Sequence, residues 1–196
     1  MLKTKKIGLY FGSFNPVHMG HLNLANYLVD NELVDELWFV VSPCNPLKRQ
    51  SDLLNEHIRL KMLDIATEGN SKLKVSDVEF SMPVPSYTID TLNALSSRFS
   101  DVRFSLIIGS DNALLFERWK NYRQILKDYP ILVYPRRGYD FDKVATEFMQ
   151  MKLLSTPYYD ISSTEIRRDI AEKRDVSECL HSNVYQYILE NKLFLE

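Results

Sequence analysis

The stretch GSFNPVHMGH, residues 12–21, decides the fold because it joins an apolar strand to an amphipathic helix. The run before it, IGLYF at 7–11, is apolar on both faces and ends at Gly12. After it, apolar residues from Leu22 to Val29 recur at three- and four-residue spacing, which indicates one face of a helix. A strand, a glycine-containing turn and a helix in this order predict the first unit of a parallel α/β sheet.

The same alternation of strand and helix continues along the chain. Further strands are predicted at 37–41, 73–80, 102–108, 131–134 and 153–156. Apolar residues recur with the period of a helix at 58–66, 92–99, 113–126 and 143–149, and from residue 163 onward. The pattern predicts an α/β fold: a Rossmann-like doubly wound parallel sheet of five to six strands with helices on both faces. We expect a single domain over 1–196, with a helical C-terminal portion at about 163–196.

Composition excludes several classes of protein. The chain has 196 residues, of which 45% are hydrophobic and 26% charged, as is typical of globular proteins. Its net charge of −2 argues against a protein that holds nucleic acid through bulk positive charge. The two cysteines form no CxxC pair, which favours a reducing compartment over a disulfide framework. No apolar run approaches the roughly 20 residues that cross a bilayer. We therefore expect a cytoplasmic protein without a membrane or nucleic-acid partner.

The two histidines of the first stretch point to anion chemistry. In an open α/β sheet, ligands bind beyond the carboxyl ends of the strands, which is where residues 12–21 lie. His18 and His21 are three residues apart, so on a first helical turn they face the same side. The N–H groups and dipole of a helix start favour an anion there. A metal-binding HxxH pair or two structural histidines are the alternatives, but no nearby Asp, Glu or Cys completes a metal site.

These residues carry a resemblance to a known superfamily. Residues 12–21 resemble the GxFxPxHxGH signature of the HxGH nucleotidyltransferases, with all six fixed positions present. Residues 161–168, ISSTEIRR, resemble the second signature of the same superfamily, ISSTxIR. There, Ser163 or Thr164 can cap a helix that starts at Glu165, and Arg167 can offer a bidentate fork to phosphate. Two phosphate-binding segments far apart in sequence suggest one triphosphate held by both.

The middle of the chain resembles the nicotinate mononucleotide adenylyltransferases within that superfamily. PCNPLK at 43–48 is similar to their PxxPxK element, and SYTIDTL at 86–92 is similar to the segment at the mouth of their pyridine pocket. GSD at 109–111, Trp119 and PRRG at 135–138 follow in the expected order. The resemblance spans residues 7–168.

The resemblance implies an enzyme that transfers an adenylyl group from ATP to nicotinate mononucleotide. The products are nicotinate adenine dinucleotide and pyrophosphate, a late step in NAD synthesis. It implies direct in-line attack on the α-phosphorus without a covalent enzyme intermediate, and Mg²⁺ bound through ATP oxygens and water rather than by the protein. A phosphopantetheine adenylyltransferase of coenzyme A synthesis and a catalytically inactive nucleotide sensor are the alternatives. The oligomeric state stays open.

The resemblance also assigns candidate residues to each part of the reaction. Catalysis is assigned to His18, His21 and Arg167. ATP binding is assigned to the two signatures and two later turns: Gly12, Ser13, Phe14, His18, His21, Gly109, Arg136, Ile161, Ser162, Ser163, Thr164 and Arg167. Pyridine-nucleotide binding is assigned to Asn15, Lys48, Tyr87, Thr88, Asp111 and Trp119. Trp119 could instead be a packing aromatic and Asp111 a helix cap, and Lys48 and Arg59 could be solvated charges.

Overall fold

The computed structural model describes residues 4–43 and 53–195, and within these ranges it contains one six-stranded parallel sheet. The strand order is β3-β2-β1-β4-β5-β6, and every pair is parallel. The strands are β1 (Lys5–Gly12), β2 (Glu36–Val41), β3 (Leu73–Ser76), β4 (Val102–Gly109), β5 (Ile131–Tyr134) and β6 (Lys152–Leu153). The doubly wound parallel α/β prediction is confirmed.

Eight α-helices lie in the described ranges. They are α1 (Met19–Asp30), α2 (Glu56–Thr67), α3 (Thr88–Arg98), α4 (Ser110–Ala113), α5 (Tyr122–Asp128), α6 (Phe141–Glu147), α7 (Ser163–Ala171) and α8 (Ser182–Glu190). The last two form the helical C-terminal portion that the sequence predicts. None of the helices described is both long and apolar enough to cross a bilayer.

The hydrophobic core forms one layer on each face of the sheet. Successive side chains of a strand point to opposite faces, so Ile107 of β4 belongs to one layer while Leu106 and Ile108 belong to the other. Helices α1, α2, α7 and α8 cover the face of Ile107, and α3 to α6 cover the opposite face. Because both faces are covered, the central strands read as continuous apolar runs.

Two predicted elements are wrong in extent. The strand predicted at 73–80 ends at Ser76, and Val78–Ser81 forms a 3₁₀ turn that carries Glu79 into the interior. The predicted last strand, 153–156, is the two-residue β6 at Lys152–Leu153.

The single helix predicted at 113–126 is also wrong, because the chain breaks there into α4, a 3₁₀ turn at Phe116–Arg118 and α5. Phe116 and Ile125 are both fully buried in the same core layer. Nine residues at roughly 100° each would place them on opposite sides of one continuous helix. The break, with Asn121 at a φ of 52°, allows both to reach the core.

The site is positioned by the reversal of winding between β1 and β4. From β1 the chain proceeds outward to β2 and β3, and it then returns to β4 on the other side of β1. The connections leave the carboxyl ends of these two adjacent strands in opposite directions, which opens a crevice there. Gly12 and Gly109 are the last residues of β1 and β4, so the predicted ligand segments both start at this crevice.

Candidate active site

The turn after β1 is held by the buried ring of Phe14. This residue has a φ of 47° and is 3% exposed, and its ring packs edge-on against Tyr10 and Phe39. A Cβ on Gly12 would lie 2.8 Å from the Phe14 ring, so glycine is needed for this close approach. Ser13 is also buried, and its Oγ has no hydrogen-bond partner among the described residues. Phe14 therefore anchors the turn through packing.

The two histidines stack on each other at the start of α1. His18 is the N-cap residue, and the ring centroids of His18 and His21 are 3.6 Å apart with an interplanar angle of 25°. The His18 backbone N–H donates to His21 Nδ1 at 3.3 Å. Because Nδ1 accepts, the neutral His21 ring carries its proton on Nε2, where it can donate to a ligand. A Cβ on Gly20 would lie 3.1 Å from the His18 ring, which favours glycine at the position before His21.

Burial keeps His18 neutral. The residue is 4% exposed, and burial, together with the positive charge of Arg136, lowers the pKa of His18 to about 3. Its Nδ1 is buried and has no hydrogen-bond partner among the described residues. The pair therefore offers an anion hydrogen bonds from neutral rings, while Arg136 supplies a positive charge nearby.

The two sequence signatures are in direct contact. Ser163 Oγ donates to the carbonyl of Pro16 at 3.0 Å, and Arg167 Nη1 donates to the carbonyl of Asn15 at 3.0 Å. The predicted cap is corrected here: α7 starts at Ser163 with Ser162 as N-cap, and the Ser163 hydroxyl binds the histidine turn instead of its own helix. The late signature thus supports the early one.

The first of two adjacent cavities, here called the histidine cavity, has a volume of about 440 Å³. Five of the residues assigned to ATP line it: His18, His21, Arg136, Ile161 and Ser162. Gly20 and Glu165 complete the part of the wall built by the two signatures, and Tyr159 lines the cavity just before the second signature. Thr164 and Arg167 instead line a separate groove beside Leu54 and Lys192.

The second cavity, here called the tryptophan cavity, has a volume of about 390 Å³. Of the residues assigned to the pyridine nucleotide, Tyr87, Thr88 and Trp119 line it. Gly12 and Gly109, assigned to ATP, also lie in its wall. Thr88 is the first residue of α3, so the helix start faces this cavity.

Two further assigned residues lie outside both cavities. Asn15 is buried, and its Oδ1 accepts from the backbone N–H of Leu54 at 3.2 Å. Asp111 is not among the residues that line the tryptophan cavity. Its Oδ1 is buried and has no hydrogen-bond partner among the described residues. The same oxygen lies 3.9 Å from Arg136 Nε. Lys48 lies outside the described residues.

Arg59 is not a solvated charge, because it is fully buried. Its guanidinium donates to backbone carbonyls of three segments: Nη1 to Ser13 at 2.6 Å and to Ser42 at 2.9 Å, Nη2 to Pro43 at 3.0 Å, and Nε to Leu54 at 2.9 Å. One side chain of α2 thereby ties the turn after β1 to the end of β2 and to its own helix start. The fork geometry of arginine makes this possible, since lysine has no planar set of donors.

Glu79 is a site residue that the sequence analysis missed. It lines the tryptophan cavity but is only 2% exposed. Its carboxylate accepts from Ser86 Oγ at 2.7 Å and from Thr91 Oγ1 at 2.8 Å. These hydroxyls flank the start of α3, so Glu79 fixes the segment that presents Tyr87 and Thr88. The acidic residue seven positions before the SYTIDTL segment was its only sequence signal.

Arg118 and Lys120, which the sequence analysis also missed, line the tryptophan cavity beside Trp119. Lys120 Nζ forms an ion pair with Asp90 at 2.8 Å and lies 4.6 Å from the centroid of the Tyr87 ring. The cavity thus combines a flat aromatic face with cations and a helix start. This chemistry suits an aromatic ligand that bears a negative charge.

Comparison with known proteins places this site in a family. Residues 9–169 match the family model described as cytidylyltransferase-like. A probable nicotinate-nucleotide adenylyltransferase of Bacteroides fragilis is 46% identical over 190 residues, which cover 97% of this chain and 94% of that protein. One of Flavobacterium psychrophilum is 44% identical over 184 residues, covering 93% and 95%.

Solved structures share the fold. Plasmodium falciparum nicotinic acid mononucleotide adenylyltransferase complexed with NaAD superposes with a TM-score of 0.84 at 22% identity, covering 97% of each chain. The same enzyme complexed with APC gives a TM-score of 0.81 at 21% identity, again covering 97% of each chain. The likeness extends over the whole length rather than over one motif.

Proposed function

Because this chain belongs to the cytidylyltransferase-like family, and within it to the nicotinate-nucleotide adenylyltransferases, we propose that it makes nicotinate adenine dinucleotide. It transfers the adenylyl group of ATP to nicotinate mononucleotide and releases pyrophosphate, a step of NAD biosynthesis. One observation carries the proposal: the stacked histidines and the late serine-rich signature meet at a cavity that adjoins a second, aromatic one. Two neighbouring cavities are what a reaction between two nucleotides requires.

ATP occupies the histidine cavity in this proposal. His18, which burial keeps neutral, and His21 donate to the phosphates, and Arg136 adds a positive charge. Ile161 and Ser162 present the start of α7, whose N–H groups favour an anion. Arg167 holds the histidine turn through the carbonyl of Asn15, and we propose that it acts on the phosphates through this turn.

Nicotinate mononucleotide occupies the tryptophan cavity. The flat face of Trp119 stacks on the pyridine ring, and the start of α3 at Tyr87 and Thr88 receives the carboxylate through backbone N–H groups. Arg118 and Lys120 place cationic groups in the same wall, although Lys120 is paired with Asp90, and we propose that Arg118 favours the acid over the amide. Asn15, Lys48 and Asp111 are proposed as further contacts to this nucleotide.

The chemistry is a direct displacement at phosphorus. A phosphate oxygen of the mononucleotide forms a bond to the α-phosphorus of ATP, the bond from that phosphorus to the bridging oxygen breaks, and pyrophosphate leaves with the electron pair. The chain contributes positioning and hydrogen bonds to the charge that develops on the phosphoryl oxygens. ATP enters as its Mg²⁺ complex, with the ion bound through triphosphate oxygens and water.

The test is pyrophosphate release measured side by side with nicotinate mononucleotide, nicotinamide mononucleotide and phosphopantetheine. We expect the highest kcat/KM with the acid. A preference for the amide would correct the substrate form, whereas turnover with phosphopantetheine alone would replace the proposal. Absence of turnover with all three would leave a nucleotide sensor. We also propose a cytoplasmic location, supported by the free thiol of Cys179.

A further inference from the structure

Two tyrosines form the wall between the cavities. Tyr10 and Tyr134 each line both the histidine cavity and the tryptophan cavity. Tyr10 is on β1 and Tyr134 on β5, the two strands that flank β4, and their hydroxyl oxygens are 3.1 Å apart. At the end of β4, a Cβ on Gly109 would lie 3.2 Å from Tyr134 Cζ. Asp111 Oδ1 and Arg136 Cγ would lie closer still to that Cβ, so a side chain at this position would displace the residues beside the pair.

Packing fixes the position of this pair. The Tyr10 ring is 6% exposed and contacts Phe14 edge-on, with ring centroids 5.6 Å apart. It also contacts the ring of His21 at 5.9 Å and that of Tyr134 at 6.0 Å. The same turn that holds the histidines thus holds the tyrosine pair, so both keep a constant relation to a bound phosphate.

The pair retains one proton for a ligand. Two hydroxyls carry two protons, and their mutual hydrogen bond uses only one of them. Burial raises the pKa of both Tyr10 and Tyr134 above the ordinary value of a phenol, so both stay protonated at neutral pH. The accepting hydroxyl can therefore donate its own proton to a second acceptor at the wall.

This inference rests on the proposed function. If ATP fills one cavity and the mononucleotide the other, the attacking phosphate and the α-phosphate must meet at their common wall. We propose that the Tyr10–Tyr134 hydroxyl pair donates a hydrogen bond to the phosphoryl group in transfer and aligns it for attack. The donor needs no positive charge, and it is supported by the second hydroxyl behind it. Either tyrosine can donate this hydrogen bond when the hydroxyl of the other is removed.

The experiment compares Tyr10→Phe, Tyr134→Phe and the double variant, with kcat measured at saturating ATP and nicotinate mononucleotide. Phenylalanine keeps the ring packing and removes only the hydroxyl. Each single variant keeps one hydroxyl as a donor but loses the hydrogen bond between the two hydroxyls, so we expect kcat to fall about threefold. The double variant loses the donor altogether, so we expect a fall of about a hundredfold.

Tyr129→Phe is the matched control. Its hydroxyl also lies 3.1 Å from another hydroxyl, that of Ser96, but it lines neither cavity. It should retain the kcat of the wild type. A double-variant loss no larger than the product of the two single losses overturns the proposal. If the double variant does not fold, the single variants decide: a kcat loss below twofold in both overturns the proposal, and a loss of twofold or more in either supports it.

The same assay separates this inference from the proposed function. Wild-type protein that releases no pyrophosphate with nicotinate mononucleotide contradicts the function itself. Wild-type turnover that the tyrosine variants leave unchanged contradicts only the role of the hydroxyl pair.

Discussion

At the scale of single residues, His18 shows how burial decides the chemistry that a side chain can perform. A histidine on an exposed helix start would be charged in part at neutral pH, whereas this one is 4% exposed and has a pKa of about 3. It therefore acts as a fixed hydrogen-bonding group rather than as a cation. Arg136 and Arg137, which both line the histidine cavity, carry the positive charge there instead.

Replacing His18 should reduce the rate of the chemical step. We expect His18→Ala to lower kcat by about 10²–10³-fold, the usual effect of removing one transition-state donor. His57→Ala is the control, since His57 is exposed on α2, and it should keep the wild-type kcat. Steady-state pyrophosphate release measures both, and a His18→Ala enzyme with full kcat would contradict the assigned role.

The lowered pKa of His18 also predicts how stability depends on pH. Since folding favours the neutral ring, its contribution is complete above pH 6.5 and decreases as the pH falls from about 6.5 towards 3. Relative to His18→Asn, the wild type should lose about 2 kcal/mol of unfolding free energy between pH 7.5 and pH 5.0. The loss arises because the unfolded state binds one more proton than the folded state over about 1.5 pH units, from 6.5 to 5.0. Urea unfolding at both pH values measures this. A constant difference between the two proteins would show that His18 titrates normally.

At the scale of elements, the start of α3 depends on a carboxylate from the preceding turn. Glu79 accepts hydrogen bonds from Ser86 and Thr91, and so fixes the segment proposed to receive the pyridine carboxylate. In Glu79→Gln one oxygen becomes an NH₂ group that cannot accept from a hydroxyl. We expect KM for nicotinate mononucleotide to rise about tenfold while KM for ATP changes less than twofold.

Initial rates with each substrate varied in turn measure this split, and Glu68→Gln on the exposed end of α2 is the matched control. Equal increases of both KM values would mean that Glu79 supports the fold as a whole rather than this cavity.

Trp119→Ala tests the opposite wall of the same cavity. Because the ring is proposed to stack on the pyridine, we expect a higher KM for the mononucleotide with a smaller change in kcat. A fall in kcat alone, at unchanged KM, would be the contrary result. Trp38→Ala is not a suitable control, since its indole packs against Phe99 and Phe104; Tyr129→Phe serves here as well.

Sequence predicts most reliably what is contiguous. The strand-turn-helix at residues 12–21 is readable because its glycines, histidines and apolar flanks lie within one segment. The tyrosine wall is not readable, because Tyr10 and Tyr134 are 124 positions apart and meet only through the strand order. Arg59 is misleading for a related reason: its carbonyl partners belong to backbone, which has no signature in the sequence. The broken helix at 113–126 follows from a core that buries both Phe116 and Ile125.

At the scale of the whole molecule, the sheet joins both core layers. Each of β1, β2, β4 and β5 contributes residues to the layer on either face, so neither layer can form without the strands of the other. We propose that the described residues fold as one unit, in line with the single domain expected over 1–196. Urea unfolding followed by far-UV circular dichroism and by fluorescence of Trp38 and Trp119 should give coincident transitions. Transitions with different midpoints would indicate two units.

The bonds from Ser163 and Arg167 to the carbonyls of Pro16 and Asn15 join positions that are 147 and 152 residues apart. A ribosome completes the earlier segment long before the later one. During translation, the turn that holds the histidines therefore lacks these two hydrogen bonds until residues 163–171 have been synthesised. Chains that end before residue 163 lack both bonds, so we expect them to hold the turn at residues 12–18 less firmly than the full chain does.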